Sequence, residues 1–260
     1  MIQASPLKER IAERFSRAAS FYDKVADVQY DIAQATLALI DKHSRKMLDI
    51  GCGTGRISQQ LLSHADSVLG VDLSPGMIKF AEATHNSSRL SWLNADAEDL
   101  PLEEQTFDSA FSSMALQWCQ PIDKAFGEIH RVLQPESEAY LSLMCKGSFA
   151  ELENAWTAIG EGKRTNDFQS HNNIVDAAKA CGFDVVDKTQ SFVTYHDTIF
   201  ELLGSIKAIG ANTVTRSQSD KKMLDRKGLL ALENAYRQNH ARDERLPLTY
   251  QISFLQLKKS

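Results

Sequence analysis

The fold is decided by the stretch Asp49-Ile50-Gly51-Cys52-Gly53-Thr54-Gly55. It follows a short apolar run at 46–50, which is typical of a buried parallel strand, and it leads into a helical pattern at 56–64. Glycines at every second position let the backbone turn tightly and approach a ligand where a Cβ atom would clash. The N-terminus of the following helix presents free N–H groups to that ligand. We therefore predict a ligand-binding loop at the carboxyl end of the first strand of an α/β sheet.

The rest of the chain continues the alternation of strands and helices. Further predicted strands lie at 67–73, 90–93, 107–113, 138–144, 184–195 and 248–257. Predicted helices lie at 7–43, from 75 onward, and at 121–133, 149–159, 172–181, 198–209 and 219–239. Such alternation builds a parallel sheet with helices on both faces. The last strand follows a helical stretch without a clear crossover, which favours an antiparallel edge or hairpin position.

The composition is typical of a soluble globular protein, with 43% hydrophobic and 24% charged residues in a chain of 260. No run approaches the roughly 20 apolar residues that span a bilayer. The first six residues lead directly into charged residues rather than into the core of a signal peptide. The four cysteines and seven histidines are scattered, without the spacing of a metal site. We predict a cytoplasmic protein without a bound metal, a membrane partner or a nucleic-acid partner.

The net charge of −5 is unevenly distributed. Between Gly204 and Ser260 there are eleven Lys or Arg residues and five Asp or Glu residues, so this segment carries +6 and the remainder −11. A basic segment on an acidic protein favours an anionic partner or substrate. A solvated helix face explains the same count equally well.

A carboxylate at the end of the second strand narrows the choice of ligand. Asp72 lies 21 residues after Gly51, where its side chain can accept hydrogen bonds from both hydroxyls of a ribose. The glycine pattern is GxGxG rather than the GxGxxG that opens a pyrophosphate site. The sequence therefore favours a nucleoside with a short charged tail over a dinucleotide.

Three motifs in order resemble those of class I methyltransferases, over about residues 30–145. They are Leu48–Gly55, then Val71-Asp72, then Asn94-Ala95-Asp96-Ala97. The resemblance implies S-adenosylmethionine as cofactor. It also implies a mostly parallel, Rossmann-like α/β sheet of seven strands with an antiparallel last strand, N-terminal helices and a helical insertion that forms a lid.

The same resemblance assigns the cofactor-binding residues. The glycine loop lies along the methionine part, the carboxylate after the second strand binds the ribose, the third motif meets the adenine edge, and the end of the fourth strand lies near the sulfonium. A carboxylate suits the adenine amino group because it accepts hydrogen bonds. Asp49 either contacts the cofactor or caps local backbone N–H groups. In that order, the assigned residues are Gly51 and Gly53, Asp72 and Leu73, Asp96 and Ala97, and Ser112.

We predict one methyltransferase domain over residues 1–260. The pattern changes from helices to strands near residue 46 and loosens after residue 146. Accordingly, an N-terminal helical cap covers 1–45, a cofactor-binding core 46–147, and substrate-side helices with the final strands 148–260.

Further features resemble the malonyl-[acyl-carrier protein] O-methyltransferase family of biotin synthesis. They are Arg14–Asp23, Met114–Cys119 after the fourth strand, and Ser205–Ala211 together with Leu246–Tyr250. The resemblance implies methyl transfer to the free carboxyl of a malonyl thioester on acyl carrier protein or on coenzyme A. The carrier protein is acidic in this family, so the basic C-terminal segment would bind it electrostatically. A carboxylate is ionised at neutral pH, so this acceptor needs neither a catalytic base nor a metal.

The resemblance also suggests side chains that would position the acceptor, and each of them also fits an ordinary structural role. Side chains on the N-terminal helices would close over the cofactor as a lid. A desolvated carboxylate needs a cationic partner, and an amide, indole or phenol would complete the acceptor side. The candidates are Tyr22 and Phe15 for the lid, Lys207 or Arg245 for the cation, and Gln117, Trp118 and Tyr250 for the acceptor side.

Three alternative functions stay open at this point. A carboxyl methyltransferase acting on a small free acid such as trans-aconitate shares the Leu116-Gln117-Trp118 feature. A protein that binds S-adenosylmethionine without catalysis has the same cofactor motifs. A Rossmann dehydrogenase is disfavoured by the GxGxG spacing.

Overall fold

The structure is a computed structural model and describes residues 6–162, 164–208 and 225–260. Seven strands of these ranges form one sheet. They are β1 (Ser44–Ile50), β2 (Ala65–Asp72), β3 (Leu90–Asn94), β4 (Phe107–Ser113), β5 (Leu133–Met144), β6 (Phe183–His196) and β7 (Leu246–Lys259). They lie side by side in the order β3-β2-β1-β4-β5-β7-β6. The first five strands pair in parallel, whereas β7 is antiparallel to both β5 and β6, so the predicted sheet is confirmed.

Helices flank this sheet, and the predicted N-terminal helical run divides into two. A 3₁₀ turn at Tyr22–Lys24 separates α1 from α2. Of the predicted helix at 219–239, residues 219–224 lie outside the described residues, as do Ile209, Gly210 and Ala211 of the Ser205–Ala211 motif. The described helices are α1 (Pro6–Ala18), α2 (Asp27–Leu37), α3 (Arg56–Leu61), α4 (Pro75–Thr84), α5 (Ile122–Val132), α6 (Ala150–Ala158), α7 (His171–Ala180), α8 (Ile199–Ala208) and α9 (Arg226–His240).

The start of α4 carries an N-terminal cap. Ser74 has extended backbone angles, and its Oγ accepts a hydrogen bond from the N–H of Met77 at 3.2 Å. Pro75 occupies the first helical position, where its missing N–H is not needed. Because of this cap, α4 begins directly after β2. The end of β2 therefore lies at the carboxyl edge of the sheet, next to the start of the helix.

The central strands are buried on both faces, so their apolar residues pack against helices on both sides of the sheet. Met47 of β1 packs in a cluster with Leu37 of α2 and Leu61 of α3. Leu48 and Ile50 point to the opposite face and join the cluster that includes the buried residues of α5 and α7. Alternate residues of one strand thus hold helices on opposite faces of the sheet.

A third cluster, called the C-terminal cluster below, lies beside β5 and β7. It joins buried residues of α6, α8, α9 and β7 to Ile32 of α2, and Val28 of α2 packs against it. This contact ties an N-terminal helix to the last part of the chain. Within the described ranges, no helix combines the length and the apolar character that crossing a membrane would require.

Candidate active site

A cleft opens at the carboxyl ends of β1, β2 and β4, beneath α1 and α2. It contains about 1260 Å³ of empty space, part of which is open to solvent. Parallel strands end at the same edge of a sheet, so loops that are distant in sequence meet there. Of the residues named from the sequence, those that line the cleft are Asp49, Gly51, Gly53, Asp72, Leu73, Asp96, Ala97, Phe15, Tyr22 and Trp118.

The backbone of the glycine loop requires glycine at two positions. Gly51 has a φ of +75°, and a Cβ atom there would lie 2.1 Å from Cβ of Ala115. Gly55 has a φ of +80°, and its Cβ atom would lie 2.4 Å from the ring of Trp92. A side chain at either position would meet both steric strain and a clash. The N–H of Gly51 donates to the carbonyl of Val71 at 2.7 Å, which holds the loop against the end of β2.

Asp72 is fixed in the cleft wall by two backbone donors. Its Oδ2 accepts from the N–H of Gly53 at 3.0 Å, and its Oδ1 accepts from the N–H of Ser74 at 2.8 Å. Burial raises the pKa of this carboxyl, and the two N–H groups oppose that rise because they stabilise the ionised form. Each carboxylate oxygen keeps a further lone pair, so the group can still accept from the two hydroxyls of a ribose.

Asp49 is buried beneath the glycine loop, with 2% of its surface exposed. The hydroxyl of Ser58 donates to its Oδ2 at 2.5 Å. Burial raises the pKa of Asp49 to about 7; the Ser58 hydrogen bond lowers it, and the nearby charge of Asp72 raises it further. A cation bound beside Asp49 would lower this pKa, because it would favour the ionised form.

The far end of the cleft is acidic and is met by a lysine from α1. Asp96 and Glu98 follow β3, and both line the cleft. The Nζ atom of Lys8 lies 2.5 Å from Oδ2 of Asp96 and 2.9 Å from Oε2 of Glu98. Helix α1 is therefore held over this end of the cleft by an ion pair with little exposure to water.

Three aromatic side chains close the cleft from above and from the side. The ring centre of Phe15 lies 6.2 Å from that of Tyr22 and 6.1 Å from that of Trp118, where the two rings meet edge to face. Burial is the main cause of the raised pKa of Tyr22, and the charge of Asp72 raises it further. All three side chains line the cleft, and the face of an aromatic ring can bind a cation.

Two predicted residues lie beside the cleft instead of lining it. The hydroxyl of Ser112 donates to the carbonyl of Ile50 at 2.7 Å inside the sheet, and the next residue, Ser113, lines the cleft. The Nε2 atom of Gln117 donates to the carbonyl of Met114 at 2.7 Å. The Oε1 atom of Gln117 is buried and has no hydrogen-bond partner within the described part of the chain.

The remaining candidates lie on the C-terminal elements and do not line the cleft. Lys207 is exposed near the end of α8. Arg245 is engaged at the surface, with its Nε 3.1 Å from Oδ1 of Asp197. Tyr250 is buried in the C-terminal cluster, and the electrostatic interaction between the phenols of Tyr22 and Tyr250 raises the pKa of Tyr22. The cleft residue Met114 packs against the same cluster.

The lining residues that were not predicted from the sequence include Arg56, Glu98, Lys8 and Gln29. Arg56 directly follows the glycine loop, and Glu98 lies two residues after Asp96. Their closeness to these motifs in the sequence could have identified them as lining residues. Lys8 and Gln29 lie on α1 and α2, where a charged or amide residue looks like an ordinary surface position. Their role depends on how these helices cross the sheet, which the spacing of apolar residues does not encode.

Comparisons with known proteins show similarity to methyltransferases. A family model described as "Methyltransferase domain" matches residues 48–141. A malonyl-[acyl-carrier protein] O-methyltransferase of Herminiimonas arsenicoxydans is 35% identical, covering 97% of this chain and 96% of its own. The enzyme of the same name from Pectobacterium atrosepticum is 32% identical, covering 95% of both chains. A biotin biosynthesis bifunctional protein BioHC of Saccharophagus degradans is 33% identical over 99% of this chain, which spans only 48% of that longer protein.

Solved structures resemble the fold at low sequence identity. The YcgJ protein of Bacillus subtilis gives a TM-score of 0.63 at 16% identity, covering 88% of this chain and 98% of its own. A Haemonchus contortus phosphoethanolamine N-methyltransferase 2, solved with S-adenosylhomocysteine, gives a TM-score of 0.55 at 21% identity over 88% of this chain and 53% of its own. These similarities concern the fold alone.

The strand order, the glycine loop and the cleft at the carboxyl edge define a class I methyltransferase with a Rossmann-like sheet. The similarity to curated relatives extends over nearly the whole chain, including α8, α9 and β7. The chain belongs to the malonyl-[acyl-carrier protein] O-methyltransferase family.

Proposed function

We propose that this chain transfers the methyl group of S-adenosylmethionine to the free carboxyl of a malonyl thioester on acyl carrier protein. The product is the malonyl methyl ester that starts the pimeloyl part of biotin synthesis, and we place the reaction in the cytoplasm. One observation carries this proposal: relatives named for that activity match 94–97% of the chain. The match therefore extends well beyond the glycine loop, over nearly the whole chain.

The residues of the cleft fit the proposed cofactor. Gly51 leaves the space that a Cβ atom would fill, Asp72 presents a carboxylate fixed by two N–H donors for the ribose, and Asp49 suits an ammonium group. Asp96 and Ala97 line the end proposed for adenine, with Leu73 on the wall between. When bound, the cofactor supplies an electrophilic methyl group, whose bond to sulfur breaks as a carboxylate oxygen bonds to the carbon.

The protein's own task in this reaction is to position and desolvate the acceptor. The carboxylate is ionised at neutral pH, so no side chain has to remove a proton from it. Phe15, Tyr22 and Trp118 line the cleft and replace water around the reacting groups, which makes an anionic oxygen more nucleophilic. Holding the two groups in line supplies much of the remaining acceleration.

The proposed partner is the acidic carrier protein. The C-terminal segment from residue 204 to residue 260 carries a net charge of +6, which complements an acidic surface and would steer the carrier toward the cleft. Coenzyme A would present the same malonyl thioester without the protein surface. The charge argument therefore favours the carrier protein over the free coenzyme.

The test is a methyl-transfer assay on a panel of acceptors. Purified protein with methyl-labelled S-adenosylmethionine is given malonyl-carrier protein, malonyl-coenzyme A, acetyl-carrier protein and trans-aconitate. We expect the highest kcat/KM with malonyl-carrier protein, and none with acetyl-carrier protein because it lacks the free carboxyl. Activity on trans-aconitate without activity on either malonyl thioester would overturn the proposal. Cofactor binding without transfer to any acid would make the chain a binding protein.

A further inference from the structure

A buried side-chain amide lies in the roof of the cleft. Gln29 lies on α2, lines the cleft and is 8% exposed. Neither its Nε2 nor its Oε1 has a hydrogen-bond partner within the described part of the chain. Buried side-chain amides are nearly always hydrogen-bonded, because an unpartnered one loses its bonds to water without compensation. An exception inside a binding cleft indicates a group that is satisfied by a ligand.

The residues on either side of Gln29 in α2 face two different parts of the protein. The preceding residue, Val28, packs against the C-terminal cluster, and Ile32 belongs to that cluster. The following residue, Tyr30, faces the other way, toward the glycine loop, with the guanidinium carbon of Arg56 3.8 Å from its ring centre. Gln29 therefore lies between the cofactor side of the cleft and the elements that follow the cofactor-binding core.

The two cations that the structure shows lining the cleft, Lys8 and Arg56, are engaged by other groups. Lys8 is paired with Asp96 and Glu98 at the acidic end. Arg56 stacks on Tyr30 and donates to a backbone carbonyl in the 3₁₀ turn. A carboxylate acceptor on the side of the C-terminal cluster would thus meet a neutral donor first. A neutral donor orients a carboxylate but leaves its charge in place, so the free oxygen keeps its nucleophilicity.

We propose that Gln29 binds the carboxylate of the acceptor, with Nε2 donating to the oxygen that does not attack. This proposal rests on the proposed function and specifies how that site recognises its substrate class. In this role the amide sets which oxygen faces the methyl donor. It also explains why the protein keeps an unpartnered amide where an apolar side chain would fit.

The test compares two variants of α2 in the full-length protein. Gln29→Leu removes the donor at nearly constant volume. Gln34→Leu is the matched control, because Gln34 lies on the same helix but bonds to Oε1 of Gln60 at 2.9 Å, outside the cleft. We expect Gln29→Leu to raise KM for malonyl-carrier protein by about ten- to hundredfold with little change in the Kd for S-adenosylhomocysteine. The Tm of the unliganded variant should stay equal or rise, since a buried unpartnered group is gone.

Gln29→Glu is the second variant, since it keeps the shape but places a negative oxygen where the donor was. We expect Gln29→Glu to weaken binding of the acceptor at least as much as Gln29→Leu does, because the two carboxylates repel each other. An unchanged KM in both variants would overturn the proposal, and so would a loss confined to S-adenosylhomocysteine affinity, which would assign Gln29 to the cofactor. A lower Tm of Gln29→Leu, with equal losses in KM and Kd, would make the residue structural and also overturn it. Failure of the proposed function is distinct, because the wild-type protein would then not methylate malonyl-carrier protein.

Discussion

Asp49 brings a titration near neutral pH into the cleft. Its pKa of about 7 means that roughly half of the unliganded molecules carry a proton there at pH 7. In the unliganded protein the shift also lowers stability as pH rises from about 4 to 7, because the unfolded carboxyl ionises more readily than the buried one. A bound ammonium group would reverse this by favouring the ionised carboxylate.

We therefore predict that S-adenosylmethionine binding releases up to about half a proton at pH 7. Affinity should rise with pH through the range around 7 and then level off, since the carboxylate is already ionised at higher pH. Calorimetric titrations in buffers with different ionisation enthalpies measure the released proton. Asp49→Asn is the control, because it cannot release one. A binding enthalpy independent of the buffer would argue against contact between Asp49 and the cofactor.

Asp72 combines a structural role with its proposed contact to the ribose. We predict that Asp72→Ala lowers affinity for S-adenosylhomocysteine by about a hundredfold, since two charge-assisted hydrogen bonds are lost. Its Tm should fall too, because the N–H groups of Gly53 and Ser74 lose their acceptor. Asp66→Ala on the same strand is the matched control, since Asp66 is exposed and pairs with His43. Unchanged affinity in Asp72→Ala, measured by calorimetry, would contradict the ribose assignment.

At the scale of elements, α1 acts as the roof of the cleft because it docks closely on α4. Oγ of Ser16 accepts from the N–H of Gly76 at 3.1 Å and lies 2.8 Å from Oγ of Ser74. A Cβ atom at position 76 would lie 2.7 Å from the backbone of Ser16. Glycine is thus required there by the approach of another helix.

We predict that Gly76→Ala displaces α1 and accelerates release of S-adenosylhomocysteine several-fold, because Lys8 and Phe15 line the cleft from this helix. Gly127→Ala in α5 is the matched control, since a Cβ atom there meets nothing within 4 Å. It should stabilise the protein by roughly 0.5–1 kcal/mol without altering cofactor release. Stopped-flow dissociation and thermal unfolding measure the two effects. Equal release rates in both variants would mean that α1 does not retain the cofactor.

For the whole molecule, the uneven charge predicts a dependence on salt. Raising ionic strength from about 0.05 M to 0.5 M shortens the Debye length severalfold. We expect KM for malonyl-carrier protein to rise several-fold, while the Kd for S-adenosylhomocysteine changes little, because that site is buried. Initial rates across a salt series measure this. A KM that is insensitive to salt would contradict electrostatic docking of the carrier.

The sequence predicted the features that are encoded locally. The glycine loop and Asp72 both lie at the end of a strand, so short-range rules place them correctly. The orientation of a side chain across a strand is harder to predict. Ser112 and Ser113 are chemically identical, and only the pleat decides that Ser112 bonds inside the sheet while Ser113 lines the cleft.

Contacts between distant segments were the least predictable. Lys8 meets Asp96 across 88 positions of sequence, and the unpartnered amide of Gln29 becomes visible only once α2 is seated on the cleft. The sequence suggested Lys207 and Arg245 because a buried carboxylate needs a hydrogen-bond donor. The packing of α8 and β7 places both cations outside the cleft, whereas the amide of Gln29 lies inside it.

The packing of the cleft residue Met114 against the C-terminal cluster has a consequence for the order in which the protein folds on the ribosome. Chains are made from the N-terminus, and structure forms as segments emerge. The loop at Gly51 and the strands β1 to β5 emerge well before β7. The C-terminal cluster, in contrast, forms only once β7 has been inserted between β5 and β6. A nascent chain can therefore form the glycine loop first, and the cluster beside the cleft follows only after β7 has emerged.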